Sequence, residues 1–237
     1  MMEQIKKDLL QLSNPNKAKK LSGFFKTGTG QYGEGDVFLG IPVPEQRKIA
    51  KKYINLHLND LEQLLRSKIH EHRLTALVIL VTKYEKADVS GKNDIFRFYL
   101  KNTENINNWD LVDLSAPKIV GDYLLNKDRT ILFKLAKSNN LWERRIAILS
   151  TFSFIRNNDF EDSLRISKLL LQDEHDLIHK AVGWMLREIG KRDQDLEEQF
   201  LNENYIQMPR TMLRYAIEKF DENKRKFYLS QTTNKIK

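Results

Sequence analysis

Apolar residues recur along this chain with the period of a helix. In "HRLTALVILVTKY" the set is Leu74, Leu77, Val78 and Val81; in "RRIAILSTFSFI" it is Ile146, Leu149, Phe152 and Phe154 with near neighbours. The spacing is near 3.6 residues, not the alternation of a strand. Polar breaks at Lys86–Asn93, Asn126–Arg129, Arg156–Asp162 and Asp173–Asp176 separate such runs. Their length is usual for connections between packed helices. Only five prolines occur, and most of the glycines fall between residues 23 and 40, so little else interrupts a helical chain rich in Leu, Ile, Lys and Glu.

The runs also resemble one another. Arg73 opens "RLTALVIL", Asp113 opens "DLSAPKIV", Arg144 opens "RRIAILST", Lys180 opens "KAVGWMLR" and Arg210 opens "RTMLRYAI". These starts lie about 30–40 residues apart, the period of paired-helix repeats such as HEAT and armadillo units. The pattern predicts an all-α helical solenoid of HEAT-like repeats, one domain over residues 1–237, with equivalent helices lining a concave face. Four of the five opening residues are basic. They would set Arg73, Arg144, Lys180 and Arg210 along a basic groove suited to a phosphate backbone.

Bulk charge agrees with that expectation. Forty Lys+Arg against 32 Asp+Glu give a net charge of +8 and a pI near 9.4, the footprint of a polyanion binder or of a simply basic soluble protein. Cysteine is absent, so a disulfide frame, a thiol nucleophile and a thiolate metal site are excluded. His70 and His72, at i, i+2, would not share a helix face, so they read as surface or inter-helix residues. No metal site is expected. The start "MMEQIKKDLLQLSN" lacks an apolar run of signal-peptide length, and no stretch of about 18 apolar residues occurs. A soluble, intracellular protein without membrane contact is expected.

The glycine-rich stretch "TGTGQYGEGDVFLG" contains Gly28-Thr29-Gly30-Gln31-Tyr32-Gly33, which fits the G-x-G-x-x-G nucleotide fingerprint. Its context argues against that use. A dinucleotide loop needs a buried strand before it and a helix directly after, whereas "KKLSGFFK" precedes it. Glu34 and Asp36 stand where a phosphate would sit, and Val37 is misplaced for the kinase version. A short hairpin or loop over about residues 26–38, between the first helices, is expected instead.

Asp113 is the one acidic opener in the series. A carboxylate opposes phosphate binding, so it calls for another use. Trp109 lies one helical turn before it in "NNWDLVDLSAP"; Trp184 is followed one turn later by Arg187; Trp142 precedes Arg144 and Arg145. Each has a plainer reading. Tryptophan on a helix is more often core, Asp110 or Asp113 could cap a helix ahead of Pro117, and Arg187 beside Glu188 fits a solvated face. The residues alone stop at a basic helical-repeat protein that binds nucleic acid.

The set "FLGIPVPEQRK", "NNWDLVDLSAPKIVGDYLL", "LWERRIAIL" and "KAVGWMLREIGK", in this order between about Val37 and Phe220, resembles the HEAT-like-repeat DNA glycosylases, the alkylpurine DNA glycosylase D family of bacterial DNA alkylation repair. The resemblance implies an all-α solenoid holding double-stranded DNA. It implies Asp113 as the catalytic aspartate, Trp109 and Trp184 as the aromatic partners, and Arg145 and Arg187 as DNA-facing arginines. The implied substrate is a cationic N3- or N7-alkylpurine, excised without base flipping. No metal or organic cofactor is implied, and a monomer in the bacterial cytoplasm, on the nucleoid when DNA-bound, is expected. A sister branch of the superfamily carries a hairpin near residues 26–38 and binds DNA, including branched forms, without evident excision. The glycine-rich insertion leaves that branch as the alternative.

Overall fold

The computed structural model describes residues 1–231, which fall into two compact units divided between Ser115 and Ala116. Among the described residues there is no strand, only an isolated parallel bridge between Val37 and Ile69. The all-α expectation holds.

The first unit is built from α1 (Met2–Gln11), α2 (Pro15–Phe24), α3 (Val43–Lys52), α4 (Leu58–Leu65), α5 (His70–Lys86), α6 (Val89–Lys101) and α7 (Trp109–Ala116). Local signals explain the starts. Asn14 accepts from the Lys17 amide at 3.0 Å with Pro15 in the first turn of α2, and Asp88 accepts from the Gly91 amide at 2.8 Å to open α6. That cap shortens the break expected at Lys86–Asn93 to two residues, Ala87 and Asp88. Helix α5 packs against α1, α3, α4 and α6. Because neighbours surround it, its burial is not confined to the stripe of Leu74, Leu77, Val78 and Val81; Thr75, Ala76, Ile79 and Leu80 are buried as well. Each fully buried Leu or Ile here contributes about 1.5–3 kcal/mol.

The second unit begins with a π-turn, Pro117–Gly121, followed by a single turn, α8 (Asp122–Leu124). Then come α9 (Thr130–Ala136), α10 (Leu141–Ser150), α11 (Phe152–Arg156), α12 (Glu161–Leu169), α13 (Asp176–Gly190), α14 (Gln194–Asn204), α15 (Arg210–Ala216) and α16 (Glu222–Gln231). The centre is α13, which packs against α10, α11, α12, α14 and α15. Its buried set Ile178, Ala181, Val182, Met185, Leu186 and Ile189 is a regular apolar face. Gly183 sets how close α13 comes to α15. A Cβ there would lie 2.4 Å from the Met212 carbonyl oxygen and 2.5 Å from the Tyr215 Cβ.

One buried acid in this unit has a measurable consequence. Glu197, on α14, is 1% exposed, and its carboxyl lies over Gly190. Burial, with the negative charge of Glu198 added, pushes its pKa to about 9; Arg187 offsets this only in part. A raised carboxylate pKa favours the protonated form in the fold. The fold therefore loses stability as pH climbs from the ordinary glutamate range toward about 9. Glu197→Gln is expected to unfold later than wild type at pH 8, by about 2 kcal/mol or more, with the difference closing near pH 4.5. Thermal unfolding at the two pH values checks this, and a pH-independent difference would refute it.

Candidate functional site

The glycine-rich segment is a run of successive turns. Backbone bonds link Gln31 to Gly28, Glu34 to Gln31 and Asp36 to Gly33, and Gly30 and Gly35 take positive φ. Glu34 accepts from the Gly30 amide at 2.8 Å, so one of the two carboxylates closes the loop itself. At its end the segment is fastened to the start of α5. Val37 donates to the Lys68 carbonyl at 2.9 Å, and the His70 amide donates to the Val37 carbonyl at 2.8 Å. Buried Glu71 then accepts the amides of Leu39, Gly40 and Ile41 at 2.9, 2.7 and 3.2 Å. Within the glycine fingerprint the Gly28 amide donates to Gln31 Oε1 at 3.1 Å and the Gly33 amide to the Lys26 carbonyl at 3.2 Å, so with Gly30 on Glu34 the donors a phosphate would need are held by the chain itself.

Asp36 carries the second fastening. It accepts from Arg73 at 2.6 Å, from Asn108 at 3.2 Å and from His70 Nδ1 at 3.2 Å. Arg73 also donates to the Ser67 carbonyl at 2.8 Å. The other nitrogen of His70, Nε2, pairs with Asp110 at 2.8 Å. With a carboxylate at each ring nitrogen, only the imidazolium donates to both. Burial alone would push His70 down, but the bonds to Asp110 and Asp36 outweigh it and raise its pKa. Burial would raise Asp36, but the His70 bond and the Arg73 charge outweigh it and lower its pKa. His72, by contrast, is driven down to about 4 by burial and the nearby Lys6 charge; it pairs with the Ser67 hydroxyl at 2.9 Å as a neutral ring. Both histidines are buried, so the surface alternative does not hold for either.

Helix α7 carries both Trp109 and Asp113. Asn108, not an aspartate, opens it: its Oδ1 accepts from the Trp109 amide at 2.8 Å. Asp110 is turned to His70 instead. Trp109 and Asp113 lie one turn apart on one helical face, both half-buried. Phe25 stacks on the indole with ring centroids 5.2 Å apart and planes 17° apart, and Phe24 meets it edge-on at 5.9 Å. Phe25 in turn stacks on Phe38 at 5.0 Å, and Phe38 on His70 at 4.6 Å. The Asp113 charge is felt by the buried Tyr99 phenol, whose pKa rises through burial first; the bond to Ser115 opposes the rise and Asp113 adds to it.

In the second unit the structure groups Lys180, Trp184 and Arg187 on the face of α13 opposite its apolar side. The Trp184 indole N–H donates to Glu188 at 3.2 Å, and its ring lies 5.8 Å from Phe152. Arg187 pairs with Glu218, and Lys180 with Asp176 at 2.6 Å. On α10, Arg144 donates to Asp173 at 2.6 Å and to the Ser138 carbonyl at 2.9 Å, while Arg145, 4% exposed, donates to the Leu177 carbonyl at 2.5 Å. Arg210, exposed at the start of α15, donates to the Leu229 carbonyl at 2.6 Å. Arg73, at 3% exposure in the first unit, spends its charge on Asp36. Trp142 is buried in the core. Among the described residues no His, Asp and Glu group is arranged to hold a metal ion, and no helix is long and apolar enough to cross a membrane.

Removing the Asp36 charge strands a buried guanidinium, which typically costs about 3–5 kcal/mol. Asp36→Asn is therefore expected to lower unfolding stability by about 3 kcal/mol at pH 6. The sign of the pH dependence differs for the two titrating groups. The Asp36 contribution is lost as pH falls through its lowered pKa; the His70 contribution is complete below about 6.5 and is lost as pH rises through its raised pKa. Denaturant unfolding should place the wild-type advantage at a maximum between about pH 4 and 6.5; a variant within 1 kcal/mol of wild type there would refute the anchor.

Known proteins share this architecture. A "predicted DNA alkylation repair enzyme" from Enterococcus faecalis superposes with a TM-score of 0.69 at 20% identity, over 89% of this chain and 97% of its own. AlkD2 from Streptococcus mutans gives 0.55 at 18%, over 93% and 97%. The protein smu.31 from Streptococcus mutans UA159 gives 0.53 at 21%, over 76% and 93%. At such identities the likeness concerns the fold. No curated protein sequence matches the chain significantly. The family described as DNA alkylation repair enzyme matches residues 5–220, nearly the whole sequence, and the chain belongs to that family.

Proposed function

We propose that the protein is a DNA glycosylase that hydrolyses the N-glycosidic bond of cationic N3- or N7-alkylpurines in duplex DNA, without flipping the base. Membership of the DNA alkylation repair family supports alkylated DNA as the target. The observation that carries the reading is the pair of Trp109 and Asp113, half-buried and one turn apart on α7. Alkylation makes the purine a cationic leaving group, so no acid is needed to protonate it. As the bond breaks, its electron pair passes to the purine N9, the base leaves neutral, and positive charge gathers on the deoxyribose. Ionised Asp113 stabilises that charge and orients the water that attacks C1′; the water's spare proton passes to solvent. Trp109 meets the cationic nucleotide through its ring, and Trp184 is the aromatic contact offered by the second unit. Arg187, Lys180, Arg144 and Arg210 contribute positive charge toward phosphates. Buried Arg73 and Arg145 act by bracing α5 and α10. The chemistry requires no cofactor.

A second reading rests on Phe25. It covers one face of the Trp109 indole, in parallel contact, and so limits how much of that ring a nucleotide can meet. The protein would then bind damaged or branched DNA without excision.

Two measurements separate the readings. Wild type is expected to release N7-methylguanine or N3-methyladenine from methylated duplex DNA, and Asp113→Asn to do so at least about 100-fold more slowly; no release at any salt concentration would refute the enzyme reading. Deleting Thr27–Glu34, which spares the Asp36 anchor, should under the second reading abolish a preference for four-way junctions over linear duplex in a gel-shift assay. An unchanged preference would refute that role for the loop.

A further inference from the structure

Helix α7 is eight residues long, and its first turn carries Asp110 directly after Trp109. By helical geometry Trp109 and Asp113 project about 100° and about 60° round the axis from Asp110, both on the same side. Whatever holds Asp110 therefore sets the direction in which that pair faces. Its Oδ2 meets His70 Nε2 at 2.8 Å, and its buried Oδ1 has no partner among the described residues. His70 is thus the one hydrogen-bond partner of this carboxylate among the described residues.

His70 is itself buried and held from its other side. At 2% exposure it turns Nδ1 to Asp36 at 3.2 Å, and Asp36 is fixed by Arg73 at 2.6 Å. Asp36 also accepts from the Asn108 side-chain amide at 3.2 Å, and Asn108 Oδ1 accepts from the Trp109 amide at 2.8 Å. Two arms run from Asp36 to the start of α7, one through Asn108 and one through the His70 ring to Asp110. Phe25 touches both the imidazole and the indole, with centroids 5.0 Å from His70 and 5.2 Å from Trp109. The charged groups facing the imidazole are Asp36 from the loop, Asp110 from α7 and Arg73 from its own helix. A neutral ring has one N–H, so one of the two carboxylates would face a lone pair at hydrogen-bond distance. Either tautomer breaks the arm that runs through the ring.

We propose that the His70 imidazolium is a positioning residue: by bridging Asp36 and Asp110 it fixes the rotation of α7 and so aims Trp109 and Asp113 at the nucleotide. This rests on the glycosylase reading of those two residues. His70 touches no substrate, and Asp110 transmits its hold. A bridge that merely braced the fold would change stability and leave the rate of each folded molecule alone.

Asp110→Asn separates the two roles. The asparagine amide accepts from an imidazolium or, turned over, donates to the lone pair of a neutral ring, so the bridge survives either protonation state. Asp110→Ala has neither option. Single-turnover excision from methylated duplex DNA and DNA affinity are measured for the full chain and both variants from about pH 6 to about pH 9. Wild type is expected to slow as pH rises through the raised His70 pKa, and Asp110→Asn to lack that fall. Asp110→Ala should excise at least about tenfold more slowly throughout, with affinity within about twofold of wild type. Fluorine NMR of 5-fluorotryptophan-labelled protein, with the Trp109 signal assigned by Trp109→Phe, follows the indole without excision. That signal should move with pH in wild type, stay in place in Asp110→Asn and be displaced in Asp110→Ala. Should wild type excise nothing while the signals behave so, the glycosylase reading fails and the bridge stands. An Asp110→Ala rate and signal equal to wild type would overturn the proposal. So would a wild-type rate and signal level across the range, or an alkaline fall kept in full by Asp110→Asn.

Discussion

The buried pair of Asp36 and Arg73 is the interaction on which the first unit turns. A guanidinium at 3% exposure cannot be left without a counter-charge, and the carboxylate that meets it comes from a segment with no regular secondary structure. The position of that segment is therefore set by charge more than by backbone geometry. His70 extends the pairing, since one ring nitrogen faces Asp36 and the other faces Asp110 on α7. The glycine-rich turns, the start of α5 and the start of α7 are joined in one buried array. The stack from Trp109 through Phe25 and Phe38 to the His70 ring lies against it.

Helices were legible because burial of one face repeats at short range along the chain. The sets at Leu74–Val81 and Ile146–Phe154 identify helical segments whatever surrounds them. What such a period does not carry is how many neighbours a helix has. The residues between the expected positions of α5 are buried because four helices pack around it. The division into α10 and α11 at Thr151 also goes beyond the period; the Thr151 hydroxyl donates to the Ile148 carbonyl at 2.7 Å there.

The candidate site was legible in part for a related reason. Trp109 and Asp113 share a helical face by simple spacing, as do Lys180, Trp184 and Arg187. The destination of a basic side chain is not local, however. Arg73 and Lys180 occupy matching places in the sequence repeat, yet one is sealed against a carboxylate 37 positions earlier and the other keeps a third of its side chain in solvent. Nor does spacing show that Asp36, Glu71 and Asn108 converge, because each pairing closes a long loop. The usable signal was chemical: an acidic residue among glycines, and the polar run "HEHR" opening an apolar helix, both need partners.

Gly183 stands directly before Trp184, and its missing side chain is what allows the backbones of α13 and α15 to touch. The rotational setting of α13 is consequently fixed by a contact about 100° round the helix from the indole. Helices held apart by side chains can roll by a few degrees as those side chains change rotamer; a helix seated backbone to backbone cannot. The aim of Trp184 is thus indexed like the hand of a dial, by that bearing as well as by the Glu188 bond and the Phe152 ring that hold the indole itself.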